Sequence, residues 1–373
     1  MINPASRTKS IELSLIRKMF EVTNPNAINL GIGEPDFDVP ENIKNAMKRS
    51  IDENDTHYTP NKGYIELREE ISKKFKKEND INTNPDDIIV TVGASEGLYM
   101  CTQAFVEKGD EVLLPNPSFL SYESCIKLAD GNIVPVDCKM ENEFKLKAED
   151  VQEKISNKTK AIILNSPSNP TGAVMEKEDI KAIADLSIDE NFLIISDEIY
   201  EKIIYGKKNY SPAKYSDNVI TLNGFSKTYA MTGLRIGYLA TTNENYTEQL
   251  LKIHQYNIAC ANTTAQRGAY EALTGPQDEV EKMVFEFQKR RDLIIRRLNE
   301  MEYETVNAEG AFYVFPKIED EDFVMKAADA GVITVPGIAF GTNGKNHVRM
   351  SYANSYENIE KAMNILEERV VNG

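Results

Sequence analysis

Between residues 85 and 240, short apolar segments alternate with longer segments that mix apolar and polar residues. The apolar segments, rich in Val, Ile and Leu, are residues 88–92, 111–114, 133–136, 161–164, 192–195, 219–222 and 236–240. Strands that are buried on both faces are almost wholly apolar, and the helices between them cover those faces. The pattern therefore predicts an α/β fold with a mostly parallel, seven-stranded sheet sandwiched by helices.

The pattern changes towards both ends of the chain. Residues 277–301 predict one long amphipathic helix, because their apolar positions repeat with the period of a helix. Two short strands, at 312–315 and 348–351, and a closing helix at 356–371 are predicted after it. Residues 11–22 predict another amphipathic helix, which a passage rich in Gly and Pro follows.

We expect the two ends to pack together as a smaller α+β domain. On this reading, residues 1–45 are a segment that joins the small domain, residues 46–280 form the large domain, and residues 281–373 form the rest of the small domain. A chain of 373 residues is long enough for two such domains.

Composition and charge exclude several classes of protein. The net charge of -16 disfavours binding to a phosphate backbone, and the sequence contains no stripe of basic residues. We therefore expect no nucleic-acid partner. No apolar stretch approaches the length that spans a bilayer, and no secretory leader is visible, so we expect a cytoplasmic protein without a membrane partner. With four scattered cysteines and three histidines, neither a disulfide framework nor a metal site is expected.

Polar residues follow the predicted strands where each strand ends. Asn169 follows the strand at 161–164, Asp197 follows the strand at 192–195, and Lys227 comes after the next strand along the chain. Taken singly, such residues are usually a turn residue, a helix cap or a solvated lysine. Because ligands bind at the carboxyl ends of parallel strands, their joint occurrence predicts a site at one edge of the sheet.

Pyridoxal phosphate is the cofactor whose chemistry suits this set. Its aldehyde forms a Schiff base with a lysine amine, and its pyridine nitrogen takes an acidic partner. Tyr200 and Asn169 are candidates for holding the ring oxygen. The helix start after Gly93 is suited to a phosphate group, and Ser226 and Arg235 complete that cradle.

Three ordered motifs resemble one known family. Residues 226–237 (SKTYAMTGLRIG) resemble the lysine signature of the class I and II aminotransferases, which have fold type I of the pyridoxal-phosphate enzymes. Residues 165–172 and 196–200 match the two upstream motifs of that family in the expected order. The similarity extends from residues 31–37 to residues 348–352, and it is greatest to the aspartate and aromatic aminotransferase branch of bacteria and archaea.

The resemblance implies a role for each cofactor residue. Lys227 is the Schiff-base lysine and the base that moves the proton from Cα, and Asp197 pairs with the pyridine nitrogen. Tyr200 and Asn169 bond the ring oxygen, and Phe119 stacks on the ring. The residues implied to hold the phosphate are Ala94, Ser95, Ser226 and Arg235.

The resemblance also implies a substrate anchor and a dimer. Arg349 would bind the substrate α-carboxylate in a bidentate fork, with help from Asn169 and the backbone at Gly33. Tyr58 would reach the phosphate of the neighbouring subunit, so a homodimer with shared sites is expected.

The expected reaction is reversible transfer of an amino group from an L-amino acid to 2-oxoglutarate by a ping-pong mechanism. Aspartate is the first choice of donor, and an aromatic amino acid is the alternative. Two departures from the family weaken the choice of aspartate. The ring-stacking position holds Phe119 where Tyr or Trp is common, and Ser95 and Glu96 offer no cation for a distal carboxylate.

Other functions fit parts of the sequence. Residues 93–97 match the G-x-S-x-G elbow of α/β-hydrolases, and Ser95, Asp197 and His347 occur in the hydrolase order, but no His-Gly-Gly segment is present for an oxyanion hole. A cofactor-binding regulator would need a DNA-binding extension, which is not visible. A β-lyase or a decarboxylase on the same fold is the nearest competitor to an aminotransferase.

Overall fold

The computed structural model describes residues 2–11, 13 and 27–372. The strands are β1 (Ile28–Asn29), β2 (Ile88–Thr91), β3 (Glu111–Asn116), β4 (Asn132–Asp137), β5 (Thr159–Asn165), β6 (Leu193–Asp197), β7 (Val219–Gly224), β8 (Gly237–Thr241), β9 (Tyr313–Val314), β10 (Val332–Ile333), β11 (Val335–Pro336) and β12 (Val348–Ser351). The described α-helices are α1 (Ser6–Lys9), α2 (Glu41–Asp52), α3 (Ile65–Lys74), α4 (Gly93–Phe105), α5 (Leu120–Leu128), α6 (Ala148–Lys154), α7 (Lys177–Asp189), α8 (Glu244–Asn257), α9 (Thr263–Thr274), α10 (Asp278–Glu300), α11 (Phe323–Ala330) and α12 (Tyr356–Leu366).

Seven strands form the central sheet in the order β2-β8-β7-β6-β5-β3-β4. Strand β8 runs antiparallel to both of its neighbours, and every other pair in this sheet is parallel. All seven strands were predicted from the apolar segments, so the predicted mostly parallel sheet is confirmed. In the register of β5 and β6, Asn165 lies beside Asp197, which places both at the carboxyl edge.

Burial explains why these segments are strands. Every residue of β2, β6, β7 and β8 is buried, and each buried Val, Leu or Ile side chain contributes about 1.5–3 kcal/mol when it leaves water. Helix α4 packs closely on this sheet, because Gly97 brings its backbone against Leu222. A Cβ on Gly237, the first residue of β8, would lie 2.8 Å from the backbone nitrogen of Ala94, so the start of α4 lies over β8 at the edge of the sheet where β7 ends.

The two ends of the chain meet in smaller sheets. Strand β1 pairs in parallel with β10, and β11, β12 and β9 form a three-stranded antiparallel sheet. The backbone N–H of Ser351 also donates to the carbonyl of Leu30, at 2.6 Å. Residues 28–30 are thus joined directly to the last third of the chain, while the domain boundaries at 45 and 280 stay predictions.

The elements predicted near the ends have mixed outcomes. The long helix, the two strands and the closing helix are present as α10, β9, β12 and α12, and the last of these continues into one wider turn at Glu367–Val371. The two-residue strands β1, β10 and β11 were not predicted. The predicted helix at 11–22 lies outside the described residues except for Ile11 and Leu13. Within the part of the chain that is described, no helix is both long and apolar enough to cross a membrane.

Candidate active site

A cavity of about 290 Å³ lies at the carboxyl ends of β5, β6 and β7. The start of α4, the segment 31–33 and Arg349 from β12 close its other sides. Every residue predicted for the site except Tyr58 lines this cavity: Gly33, Ala94, Ser95, Phe119, Asn169, Asp197, Tyr200, Ser226, Lys227, Arg235 and Arg349. The fold therefore brings together site residues that are up to 316 positions apart in the sequence.

Lys227 follows β7 and is held away from bulk water. Its Nζ donates to the carbonyl oxygen of Gly33 at 2.6 Å and lies 5.8 Å from the ring centre of Phe312. Burial lowers the pKa of Lys227 from 10.5 to about 8; the carboxylate of Glu34 acts against this, and the guanidinium of Arg235 adds to it. An amine with this pKa is partly unprotonated near neutral pH, so it can accept a proton or attack a carbonyl carbon.

Asp197 ends β6 with its carboxylate turned into the cavity. Its Oδ2 accepts a hydrogen bond from the hydroxyl of Tyr122 at 2.8 Å, and its Oδ1 accepts one from the N–H of Ile199 at 3.2 Å. Burial raises the pKa of Asp197, and both hydrogen bonds lower it in part. The carboxylate is thus held in one orientation with little water around it. Such a carboxylate can stabilise a positively charged group that binds beside it in the cavity.

Two tyrosines meet on the opposite side. The hydroxyls of Tyr200 and Tyr313 lie 2.9 Å apart and share a hydrogen bond. Burial raises the pKa of Tyr200 well above its usual value, so this hydroxyl keeps its proton at neutral pH. Gly33 is required here, because a Cβ at this position would overlap the hydroxyl of Tyr313.

Arg349 is a buried cation, and only some N–H groups of its guanidinium have a hydrogen-bond partner. Its side chain lies between the rings of Tyr313 and Phe340, with Cζ 4.6 and 4.7 Å from their centres. One terminal nitrogen donates to Oδ1 of Asn169 at 2.9 Å, and the other donates to the carbonyl of Gly31 at 2.6 Å. Among the described residues, the buried Nε has no hydrogen-bond partner. A guanidinium in this state is suited to an anionic ligand such as a carboxylate.

The start of α4 is the second place suited to an anion. Among the residues that the structure describes, no side chain caps the first N–H groups of this 13-residue helix, which begins at Gly93. Gly93 has a φ of +69°, and a Cβ there would lie 2.7 Å from a terminal nitrogen of Arg235, so the guanidinium packs directly against the helix start. Free N–H groups, the helix dipole and a guanidinium together favour a phosphate.

Tyr58 lies outside the cavity. Its side chain is 89 % exposed and borders a separate surface pocket with His57 and Cys260. Tyr58 is therefore not among the described residues that line the cavity of its own chain. Its predicted role in a neighbouring subunit stays a prediction.

The comparison with known proteins decides the family. Residues 25–366 match the model of the family described as aminotransferase class I and II. The chain belongs to this family. Class I aminotransferases use pyridoxal phosphate, and their substrates are small molecules.

Full-length relatives of this aminotransferase carry related names. It is 50% identical to a probable aspartate aminotransferase of Methanocaldococcus jannaschii, over 98% of this chain and 99% of that protein. It is 43% identical to aromatic-amino-acid aminotransferase 2 of Thermococcus litoralis, over 98% and 97% of the two chains. The solved structure of the Thermus thermophilus aspartate aminotransferase with maleate superimposes with a TM-score of 0.95 at 34% identity, over 99% of this chain and 100% of that chain. The aminotransferase fold predicted from the motifs is therefore confirmed.

The hydrolase interpretation of the sequence is wrong. His347 does not line the cavity that holds Ser95 and Asp197. Its ring stacks on Phe315, with the two ring centres 5.0 Å apart, and its Nδ1 lies 3.1 Å from the carbonyl of Lys345. The three residues therefore cannot form a triad in this aminotransferase.

Sequence reasoning missed several residues of the cavity wall. Tyr122 orients Asp197, Tyr313 contacts both Tyr200 and the Arg349 guanidinium, and Asn165 donates to the backbone carbonyl of Asp197 at 3.0 Å. Asn165 is the first residue of the motif at 165–172 that resembles the family, so that motif is a signal for it. Tyr313 lies in the apolar strand segment 312–315 and Tyr122 lies in the helix Leu120–Leu128, and an aromatic residue in such an element is typical of the core.

Proposed function

We propose that this aminotransferase binds pyridoxal phosphate in the cavity and moves the amino group of an L-amino acid to 2-oxoglutarate in a ping-pong cycle. The observation that carries the proposal is that the Lys227 amine, the Asp197 carboxylate and the Arg349 guanidinium line one cavity. An amine with a lowered pKa, a buried acid and an unsatisfied buried cation are the three groups that amino transfer on this cofactor requires.

The residues present fit the cofactor at both of its ends. Asp197 is a buried carboxylate suited to the pyridine nitrogen, and the uncapped start of α4 with Arg235 is suited to the phosphate. We propose that the ring is held by Phe119, which stacks, and by Asn169 and Tyr200, which bond its oxygen. The phosphate would be held by Ala94, Ser95, Ser226 and Arg235.

The bound cofactor would draw off the electrons that remain when the Cα–H bond of the substrate breaks. Lys227 Nζ would take the proton from the Cα of the substrate and deliver it to the reacting carbon of the cofactor, which its pKa of about 8 allows near neutral pH. Asp197 stabilises a proton on the pyridine nitrogen, and the Tyr122 hydroxyl keeps its carboxylate in place. Arg349 fixes the substrate by its α-carboxylate, with Asn169 and the backbone at Gly33 beside it.

Aspartate is the first choice of amino donor. Full-length relatives are named as aspartate aminotransferases, and the solved Thermus thermophilus aspartate aminotransferase is a structure with maleate, a dicarboxylate. The described cavity supplies three cations, Lys227, Arg235 and Arg349. Each of these already has a role in the proposed chemistry, so the distal carboxylate of aspartate would need a further cation.

An aromatic donor is the second candidate. Ile32, Leu98 and Phe119 give the cavity wall an apolar part, which an aromatic side chain could contact without a cation. A full-length relative at 43% identity is named as an aromatic-amino-acid aminotransferase. One substitution in such a wall can change the preferred donor, because specificity is a small difference in binding.

We also propose a homodimer in which Tyr58 reaches the phosphate bound by the partner subunit. The exposed position of this tyrosine, outside its own cavity, supports the proposal. Location in the cytoplasm stays a prediction from the sequence.

A screen of amino donors tests the function. The purified protein, supplied with pyridoxal phosphate and 2-oxoglutarate, is given each L-amino acid in turn, and glutamate formation is measured. We expect glutamate from aspartate or from an aromatic donor, and none from the Lys227→Ala variant, which should still bind the cofactor. Retained turnover in that variant would refute the role of Lys227.

A further inference from the structure

His254 connects two parts of the chain that border the proposed phosphate site. It lies in the last turn of α8 and its side chain has no exposure to solvent. Its Nδ1 lies 3.0 Å from Oε1 of Glu96, and its Nε2 lies 2.8 Å from the carbonyl oxygen of Asn61. Histidine buried with both ring nitrogens in contact with oxygen atoms is held in a single orientation.

Glu96 carries this contact to the start of α4. Its Oε2 accepts the backbone N–H of Val92 at 2.6 Å, and Val92 directly precedes Gly93, where the helix begins. The carboxylate therefore fixes the turn between β2 and α4, and Glu96 is not among the described residues that line the cavity. Ala94 and Ser95, whose N–H groups we propose for the phosphate, lie in the chain between Val92 and Glu96, the two residues that this hydrogen bond joins.

Asn61 carries the contact to the segment that holds Tyr58. Its carbonyl is the one that His254 contacts, and its side-chain nitrogen donates to the carbonyl of Ala259 at 2.7 Å. The next carbonyl, that of Lys62, accepts the N–H of Val90 in β2 at 3.0 Å. The backbone three residues after Tyr58 is thus tied to the same strand and helix.

The positions of the oxygens determine how many protons the pair holds. A carbonyl oxygen can only accept, so Nε2 of His254 carries a hydrogen that it donates to Asn61. One further proton must then lie between Nδ1 and Oε1 of Glu96, on whichever atom holds it. The two side chains therefore share one proton across this contact. Removing either residue would leave one buried atom of the other, Nδ1 of His254 or Oε1 of Glu96, without a hydrogen-bond partner.

We propose that Glu96 and His254 are positioning residues that set the affinity of the site for the cofactor phosphate. They act by holding the start of α4 and the Tyr58 segment in register with each other, and they do not touch the cavity. The inference rests on the proposed function, since it needs a phosphate group at the start of α4.

Three substitutions distinguish the effect of losing the hydrogen bond between Glu96 and His254 from the effect of losing the negative charge of Glu96. His254→Phe keeps a ring of similar shape but removes both hydrogen bonds, and Glu96→Ala removes the bridge from the other side. Glu96→Gln can keep every contact, because its amide nitrogen can donate to a neutral His254 while its oxygen still accepts from Val92. We expect the first two substitutions to weaken cofactor binding and the third to preserve it.

Thr247→Val is the matched control. Thr247 lies on the same helix, is buried, and donates to Oδ1 of Asp87 at 3.0 Å. Its loss removes a buried hydrogen bond of α8 without touching Glu96, His254 or Asn61. It should lower the thermal unfolding midpoint and leave cofactor affinity unchanged.

The experiment measures the dissociation constant of pyridoxal phosphate for each variant by equilibrium dialysis, with the visible absorbance of the bound cofactor as the readout. We expect His254→Phe and Glu96→Ala to raise the dissociation constant about tenfold or more, and Glu96→Gln to stay within about threefold of the original protein. Thermal unfolding of the cofactor-free forms is measured in parallel. Should His254→Phe fail to fold, the contrast between Glu96→Ala and Glu96→Gln gives the same answer.

Two results would overturn the inference while the proposed function stands. One is an unchanged dissociation constant in His254→Phe and Glu96→Ala with only the loss of stability seen in Thr247→Val, which would make the pair purely structural. The other is equal weakening by Glu96→Gln and Glu96→Ala. An original protein that binds no pyridoxal phosphate would instead overturn the proposed function, and this inference with it.

Discussion

Replacing Arg349 by lysine should separate substrate binding from cofactor binding. Arg349 is only 2% exposed and lies between two aromatic rings, with one donor on Asn169, one on Gly31 and a free Nε among the described residues. A guanidinium offers a carboxylate two parallel N–H groups, whereas an ammonium is a single point of charge. The lysine variant therefore keeps the positive charge but loses the fork.

The size of the effect follows from the lost hydrogen bond. A hydrogen bond to a charged group contributes about 1.5–3 kcal/mol, which corresponds to a loss of roughly 10- to 150-fold in kcat/KM. The loss should be similar for the amino acid and for the 2-oxo acid, because both carry the α-carboxylate. Cofactor affinity should not change, since we assign Arg349 no contact with the cofactor.

The assay follows each half-reaction by the change in visible absorbance of the cofactor under single-turnover conditions. An aromatic amine that lacks the carboxylate is compared with the matching amino acid, and the two proteins should react with this amine at the same rate. Arg296→Lys, an exposed arginine of α10 paired with Glu300, is the control for the chemical change alone. Equal losses for the amine and the amino acid, or a loss below about threefold, would refute the assignment of the carboxylate to Arg349.

Three further predictions concern the acid, the lysine and the helix start. Asp197→Ala should lower kcat by several powers of ten while circular dichroism shows an intact fold, and a mild loss would mean that another group protonates the ring. Burial lowers the pKa of Lys227 to about 8, so the folded cofactor-free protein binds fewer protons than the unfolded chain between pH 8 and 10.5. Its stability should rise with pH in that window, and Lys227→Met should be more stable by up to about 3 kcal/mol at pH 7, with the difference vanishing near pH 10.5 in denaturant titrations. Gly237→Ala should cost about 1–3 kcal/mol of unfolding free energy and weaken cofactor retention, since its Cβ would lie 2.8 Å from the N–H nitrogen of Ala94 and from the carbonyl oxygen of Asn223; an unchanged unfolding midpoint would contradict this packing.

The central sheet could be predicted because its strands are buried on both faces. Segments such as Leu193–Asp197 and Val219–Gly224 are apolar for several residues in a row, and this signal needs no knowledge of their partners. The strands β1, β10 and β11 have two residues each, too few to show a period. They exist because segments far apart in sequence, such as 28–29 and 332–333, are brought side by side.

The cavity could be predicted only where a residue follows a strand or lies in a recognisable motif. Asp197, Lys227 and Asn169 satisfy that condition, and the three side chains do line one cavity. Tyr122 and Tyr313 do not, because their hydroxyls matter only through the partners they meet, the carboxylate of Asp197 and the hydroxyl of Tyr200. Such long-range polar contacts between buried aromatic residues leave no local pattern in the sequence.

Tyr58 shows a different limit. The resemblance to the family implies that Tyr58 contacts the phosphate bound by the partner subunit. That contact would lie across a subunit interface, so it can be seen neither in the sequence nor in the structure of a single chain. Its exposed side chain is compatible with this role, and the oligomeric state in solution together with a Tyr58→Phe variant would test it.

The central claim is that Lys227 is the amine that bonds to the cofactor. The most direct measurement is to load the protein with pyridoxal phosphate, reduce it with borohydride, digest it and locate the modified peptide by mass spectrometry. We expect one pyridoxyl group per chain, on Lys227, and none on the other lysines. A label on a different lysine, or no covalent label in a protein that retains the cofactor, would contradict the account.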